Sequence, residues 1–357
     1  MTATVPGSGP VDIVCLGESM VTFLPTAPGR LADVPSFVRG IGGAESNVAC
    51  GLAASGHSAK WVGRVGADGF GEHLVEAIAS YGVDTSAVQR DALRPTGIYF
   101  RTAGDRADGA HEVLYYRAGS AASAMSRSTL PDEDVWSGRI LHLSGITAAL
   151  SADCLALMRD LTARRPGRPL VSFDVNHRPG LWRDEGGPRV LLDLARGADI
   201  VFVGEDEAEE AWGVRGADAI REALPEPDVV VVKRGAEGAV AYARRAEPGG
   251  AEVDTVTHAS APRVDVVAHV GAGDAFAAGF LSATLRGLPA HARLRHGHLM
   301  AAATLTVAGD LATPPTRAHA DRLAALEDRD WGRLRLGPGW TAAAEQGPQD
   351  PQEVRIP

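Results

Sequence analysis

Residues 139–174 read Arg-Ile-Leu-His-Leu-Ser-Gly-Ile-Thr-Ala-Ala-Leu-Ser-Ala-Asp-Cys-Leu-Ala-Leu-Met-Arg-Asp-Leu-Thr-Ala-Arg-Arg-Pro-Gly-Arg-Pro-Leu-Val-Ser-Phe-Asp. Two near-continuous apolar runs, Arg139 to Leu143 and Leu170 to Asp174, flank a longer Ala- and Leu-rich stretch, Ala152 to Arg164. An apolar run of strand length without polar alternation is what a strand covered on both faces looks like. A helix-like stretch between two such runs predicts a βαβ unit and a parallel sheet. The pattern extends in both directions. Val11 to Leu16, Ile200 to Val203 and Val229 to Lys233 are further strand-length runs, and Ala44 to Ser55, Gly71 to Tyr81 and Gly273 to Leu285 are further helix-like stretches. The expected fold class is α/β.

Two segments break the alternation. Glu18 to Gly40 and Thr96 to Arg117 hold short alternating strands with no helix between them, such as Gly97-Ile-Tyr-Phe-Arg101 and Glu112-Val-Leu-Tyr-Tyr-Arg117. They predict a small antiparallel sheet inserted at one end of a main domain spanning residues 11–336, placed to exclude water from a site at the carboxyl ends of the strands. Residues 1–10 and 337–357 are rich in Gly, Pro, Gln and Ala and read as loosely ordered tails.

With 357 residues the chain can form one large α/β domain or two ordinary ones, and 45% hydrophobic with 22% charged residues suits a soluble globular protein. The formal net charge of -10 argues against a broad nucleic-acid surface, which needs clustered Lys and Arg. Cys15, Cys50 and Cys154 are far apart and odd in number, so a reducing cytoplasm is expected. The first ten residues have neither the basic start nor the apolar core of a signal peptide. Runs such as Val229 to Val232 are far short of the roughly 20 residues that cross a bilayer.

The strongest local signal is His269-Val-Gly-Ala-Gly-Asp-Ala-Phe-Ala-Ala-Gly-Phe280. Small residues at a helix start, Gly271, Ala272 and Gly273, let several backbone N–H groups converge on one anion, aided by the helix dipole. Asp274 sits beside that pocket. Phosphoryl transfer needs positioning, charge neutralisation and a group to accept the hydroxyl proton, and this string supplies two of the three. A tight turn with Asp274 as helix cap would read the same. No Gly-Lys-Ser/Thr follows, so this is not a Walker loop.

Three other strings carry candidate chemistry. Val232-Lys-Arg-Gly-Ala-Glu-Gly-Ala239 could wrap a nucleotide with Lys233 and Arg234, or be a plain hairpin turn. Gly204-Glu-Asp-Glu-Ala-Glu-Glu210 could offer a carboxylate to metal-bound water, or simply serve the helix dipole. Gly40-Ile-Gly-Gly-Ala-Glu-Ser-Asn47 lets a ligand approach closely, with Asn47 placed either to bind a hydroxyl or to cap the helix.

Together these strings resemble the ribokinase-like, or phosphofructokinase-B type, carbohydrate kinases. The resemblance runs from about Val11 to Leu336 and includes Val62-Gly-Arg-Val-Gly-Ala-Asp-Gly-Phe-Gly71 between the two signatures. It implies a three-layer α/β/α Rossmann-like fold with a small β-sheet lid, ATP and a divalent cation, Mg2+. It implies that Asp274 is the base that deprotonates the acceptor hydroxyl and that Gly271, Ala272 and Gly273 form the anion hole. Lys233, Gly235 and Gly238 fall where the nucleotide is lined, and Glu207 matches a glutamate that orients the magnesium shell.

Within that family the chain is most similar to 2-keto-3-deoxygluconate kinases, through Tyr115-Tyr-Arg-Ala-Gly-Ser-Ala-Ala122, His142-Leu-Ser-Gly-Ile146 and Phe173-Asp-Val-Asn-His-Arg-Pro-Gly-Leu-Trp182. The similarity implies a sugar-acid substrate whose carboxylate is met by Arg117 and Arg178, since an arginine fork pairs a carboxylate bidentately. Tyr99 and Tyr115 match tyrosines that face the sugar, and Gly43 and Asn47 match its hydroxyl contacts. Surface or interdomain salt bridging is the other reading of the two arginines, and lid packing that of Tyr116, because adjacent strand residues point to opposite faces. Gluconate and galactonate epimers both satisfy this reading. Three positions depart from the family pattern: Ala268 stands where an acidic residue is usual, Gly204 where Asn is frequent, and His298 at the position near the adenine. An exposed lid edge also invites pairing with a second subunit, so a homo-oligomer is expected.

Overall fold

The computed structural model describes residues 11–102, 113–182, 186–246 and 252–342. Its centre is an 8-stranded sheet ordered Glu252–Ala259, Ala239–Ala246, Val229–Lys233, Ile200–Gly204, Leu170–Asp174, Gly138–Ser144, Val11–Leu16 and Ala59–Val62. From Val229–Lys233 to Ala59–Val62 every neighbouring pair is parallel, while the two strands beyond Val229–Lys233 are antiparallel. The continuous apolar runs are the strands buried on both faces. Val14, Leu141, Phe173, Val201 and Val230 lie in one core layer, and Ile13, Ile140, Phe202 and Val231 in the other. Successive side chains of one strand therefore feed opposite layers, giving the expected α/β/α stack.

On one face the helices Ala44–Ala54 and Ala272–Leu285 pack together, and the latter also packs closely on Ala290–Leu305. Close approach needs small residues: a Cβ at Gly279 would overlap the His296 carbonyl and press on Met300. At the amino-terminal end of the sheet, His57 Nε2 lies 2.9 Å from Ser282 Oγ and its Nδ1 lies 3.6 Å from Asp12. The order copies a hydrolytic triad, but Ser282 is inside a helix whose amides are already bonded. Without oxyanion donors this cluster is a tie between elements.

The lid is a 4-stranded sheet ordered Phe37–Gly42, Met20–Pro25, Ile98–Arg101 and Val113–Tyr116. It is mixed, which corrects the antiparallel expectation: Met20–Pro25 and Ile98–Arg101 pair in parallel, and each has an antiparallel partner outside it. The first strands of the two inserted segments meet at the centre and the return strands flank them. Phe23, Phe37, Phe100 and Tyr116 cluster on one face, whereas Tyr99 and Tyr115 pair on the other with centroids 5.4 Å apart.

The expected tail beginning at 337 also needs correction. Trp340 is buried in a cluster with Leu299, Trp331 and Leu336, so the ordered chain continues past 336. The expectations for residues 1–10, 343–357 and the lid stretch 103–112 lie outside the described residues. No helix among the described residues is long and apolar enough to cross a membrane.

Gly279→Ala is expected to lower stability by about 1–3 kcal/mol through overpacking, measured by denaturant unfolding. An unchanged midpoint would show that the two helices are not seated backbone to backbone.

Candidate active site

Asp174, Lys233, Gly204 and Ser144 end their parallel strands on the same edge of the sheet, the edge where open α/β sheets bind ligands. The helix Ala272–Leu285 begins there without a side-chain cap. Its N-cap is Gly271 at φ 76, and a Cβ at Gly271 would strike the Asp310 carbonyl. Only glycine suits that left-handed turn and that approach, and the first amides of the helix are left without intrahelical partners.

Asp274, in the first turn, does not cap the helix. Its Oδ2 accepts a hydrogen bond of 2.8 Å from Asn47 Nδ2. The residue keeps part of its surface open to the cleft, yet its carboxyl group is shielded from water. This desolvation, together with the charges of Asp174 and Asp310, pushes its pKa up to about 7, against the opposing effects of Asn47 and Lys233. Asn47 is free for this role because the cap of its own helix is Gly43, whose carbonyl accepts the Asn47 backbone N–H.

Glu45 anchors the start of the same helix. Its buried Oε1 accepts bonds from Ser144 Oγ at 3.0 Å and Thr147 Oγ1 at 2.7 Å. Burial raises its pKa to about 7, partly opposed by those hydroxyls. Gly17 must be glycine because a Cβ there would fall on the Glu45 carboxyl.

Lys233 and Asp174 form an ion pair, with Nζ 3.1 and 3.0 Å from the two carboxylate oxygens. Burial works against the Lys233 ammonium, but Asp174, Glu207 and Asp274 together hold its pKa above the ordinary lysine value. The segment that follows is a hairpin turn, with Gly235 at φ 54 and Gly238 at φ 122, and Gly238 packs against the Ala259 carbonyl. The backbone is thus a plain hairpin, yet its two basic residues part: Lys233 turns to Asp174 while Arg234 pairs outside with Glu205 and Glu237.

His298 is buried behind this wall, donating from Nε2 to the Ala259 carbonyl at 3.1 Å and packed edge-on against Phe276. Burial holds it neutral, with a pKa of about 4. Through that bond it buttresses the strand end at Ala259.

Glu207 reaches back to the N-cap of its own helix, its Oε2 accepting from the Gly204 amide at 2.8 Å, and its Oε1 lies 3.6 Å from Arg178. Among the described residues no three His, Cys, Asp or Glu side chains group as a metal cage. Magnesium does not need one, because it keeps several waters and binds substrate phosphates. The outward oxygen of Glu207 therefore fits an outer-shell role.

The lid places Tyr99 over Gly42. Tyr99 OH donates to Asp310 Oδ2 at 3.0 Å, and Arg101 Nη2 donates to Asp310 Oδ1 at 2.8 Å. Tyr115 packs against Tyr99 with its ring tilted by 38° and lies under the Arg117 guanidinium, 5.6 Å from its ring centre. Tyr116 points to the opposite face, against Phe100. Arg117 bonds through Nη2 to the buried Glu18, which also accepts from Ser120 Oγ at 2.8 Å. Arg178 is 54% exposed and beside Glu207. The two arginines expected to share one carboxylate thus each have an internal acid nearby.

Sequence reasoning missed Arg101, Asp310, Glu18 and Asn176. Arg101 was accessible, because i and i+2 on a strand share a face and Tyr99 was already placed. Asn176 is the sole non-glycine residue at positive φ among those described, at φ 43, and its buried Oδ1 has no partner.

An uncapped helix start and a carboxylate poised near neutrality, under a sheet lid at the carboxyl edge of a parallel sheet, define a phosphotransferase acting on a hydroxyl. The chain belongs to the pfkB family of carbohydrate kinases, whose sequence model matches residues 11–317. It is 35% identical over 319 residues to the 2-dehydro-3-deoxygluconokinase of Bacillus subtilis (strain 168), covering 86% of this chain and 93% of that one. It is 31% identical to the protein of the same name from Thermoproteus tenax, over 89% and 95% of the two chains. Among solved structures, a sugar kinase from Pyrococcus horikoshii in complex with ATP aligns with a TM-score of 0.73 at 26% identity, covering 89% of this chain and 99% of that one. The α/β/α fold and lid implied by the resemblance are those the chain adopts.

Three outcomes are expected. Glu18→Gln or Arg117→Met alone should cost about 3–5 kcal/mol by stranding a buried charge, and the double variant should recover part of that loss in unfolding experiments. The kcat/KM of phosphoryl transfer should fall as pH drops through about 7, because protonation removes the Asp274 base. Asn47→Leu should move that midpoint upward, since the lost N–H favoured the ionised form.

Proposed function

We propose that the chain transfers the γ-phosphoryl group of ATP to the 6-hydroxyl of 2-keto-3-deoxygluconate. The observation that carries the reading is the Asp274 carboxyl group, shielded from water, bonded to Asn47 and standing at an uncapped helix start. Asp274 accepts the hydroxyl proton as the oxygen attacks the γ-phosphorus. The bond to the bridging oxygen breaks, ADP leaves, and the Gly271, Ala272 and Gly273 amides face the charge on the transferring group. Lys233, Gly235 and Gly238 line the nucleotide. Glu207 would orient the water shell of a bound Mg2+, which would neutralise phosphate charge.

The sugar acid lies beneath Tyr99 and Tyr115, with Gly43 and Asn47 at its hydroxyls. Arg178 and the Arg117 donors not used by Glu18 meet its carboxylate. The names of the two relatives support this substrate. The Arg117–Glu18 pair favours a second reading, a neutral sugar such as fructose, because it leaves less cationic character for an acid. The three described cysteines are free and buried, which suits a reducing cytoplasm. The outer lid strand, with Leu114 45% and Tyr116 58% exposed, is the surface for a second copy, and light scattering should report a dimer or larger.

Phosphorylation of 2-keto-3-deoxygluconate should exceed that of fructose by at least about a hundredfold in kcat/KM. Equal rates would favour the neutral-sugar reading. Asp274→Asn should abolish turnover while leaving ATP affinity nearly unchanged, and near-normal turnover would refute the assignment of the base.

A further inference from the structure

We propose that Lys233 is the cation that meets the phosphoryl group during transfer, with Asp174 as the positioning residue that holds it ready. This deepens the kinase reading above and rests on it. Lys233 and Asp174 end strands Val229–Lys233 and Leu170–Asp174, which are separated in the sheet by Ile200–Gly204. Spanning that intervening strand, the ammonium reaches both carboxylate oxygens at 3.0 and 3.1 Å.

The pair adjoins the anion hole. Leaving aside its own helix and chain neighbours, the space beside Gly273 is bounded within 4 Å, among the described residues, by one atom, Lys233 Nζ, 3.6 Å from where a Cβ would sit. An anion seated on the first amides of helix Ala272–Leu285 would therefore lie beside that ammonium. An ammonium has three donors, and Asp174 takes two. The third is the one an incoming phosphate oxygen can use at once, after which the chain can pivot from Asp174 to the phosphate.

Asp174 gives this arrangement its sense. Its side chain is 4% exposed, so without Lys233 it would be a stranded buried charge. A buried pair of this kind adds little stability compared with apolar packing. Here it holds a flexible four-carbon stem at the anion pocket without using up the positive charge. Lysine suits the task as a mobile point charge, where the planar arginine fork would lock bidentately onto Asp174.

The pair also acts on the base. The groups facing Asp274 are Asn47 from helix Ala44–Ala54, Asp174, Lys233, and Asp310 from the segment after helix Ala290–Leu305. Lys233 favours the ionised base and Asp174 opposes it. Loss of the lysine should therefore move the acidic limb of the pH–rate profile upward, and loss of the aspartate should move it downward.

The test is calorimetric titration of Lys233→Met and Asp174→Asn with ATP and with ADP, joined to pH–rate profiles. Lys233→Met is expected to lower kcat by about a hundredfold and to weaken ATP binding at least about tenfold more than ADP binding. The two variants should displace the acidic limb in opposite directions. Equal losses of ATP and ADP affinity with an unchanged limb would overturn the proposal and leave Lys233 as a nucleotide-lining residue. If either single variant unfolds, the paired Asp174→Asn/Lys233→Met variant removes both charges and keeps the ATP-to-ADP comparison, with the same selective loss expected. If the wild-type protein phosphorylates no sugar, the kinase reading fails, while the ATP-to-ADP ratio still decides the role of Lys233.

Discussion

A carboxylate denied most of its hydration is the constraint around which the cleft is built. Taking Asp274 out of water favours its protonated form, and a carboxyl group titrating near neutrality is far better matched to accepting a hydroxyl proton than one titrating near 4. Left uncompensated, the same desolvation would keep it protonated and idle. Asn47 and Lys233 pull the other way, so the ionisation of the base is a balance among groups contributed by separate elements.

The fold delivers those groups by a simple rule. Parallel strands bring their carboxyl ends to one edge, so Asp174 and Lys233, 59 residues apart in the chain, become partners. Helix starts face the same edge, which adds Asn47 and the amides after Gly271. The lid then reaches the base region through Asp310, held by Tyr99 and Arg101 from a lid strand, while its backbone carbonyl abuts Gly271. Lid and anion hole are thereby joined through one residue, and a displacement of the lid strand bears directly on the turn that forms the hole.

Much of this was legible in the sequence, for physical reasons. Val11–Leu16, Leu170–Asp174 and Val229–Lys233 coincide with their apolar runs because strands covered on both faces must be apolar throughout. The last two strands on that side, Ala239–Ala246 and the edge strand Glu252–Ala259, escaped notice, since residues such as Arg244, Arg245, Glu252 and Asp254 interrupt the apolar pattern. The parallel pairing at the lid centre joins segments separated by helices, so no local signal encodes it. The base, the glycine turn and Asn47 stood in short strings with a chemical logic of their own. Asp310 and Glu18 did not, because a lone acid in a loop gains meaning only from the arginine that folding brings to it.

Direct observation of the ionisation of Asp274 tests the account at its centre. Carboxyl carbon-13 NMR of aspartate-labelled protein, compared with the Asp274→Asn variant, isolates that one resonance. The account requires it to titrate near pH 7 in the protein free of nucleotide. Titration near the ordinary aspartate value of about 4 would contradict it, because the carboxylate would then be hydrated and the cleft would lack the base on which the mechanism stands.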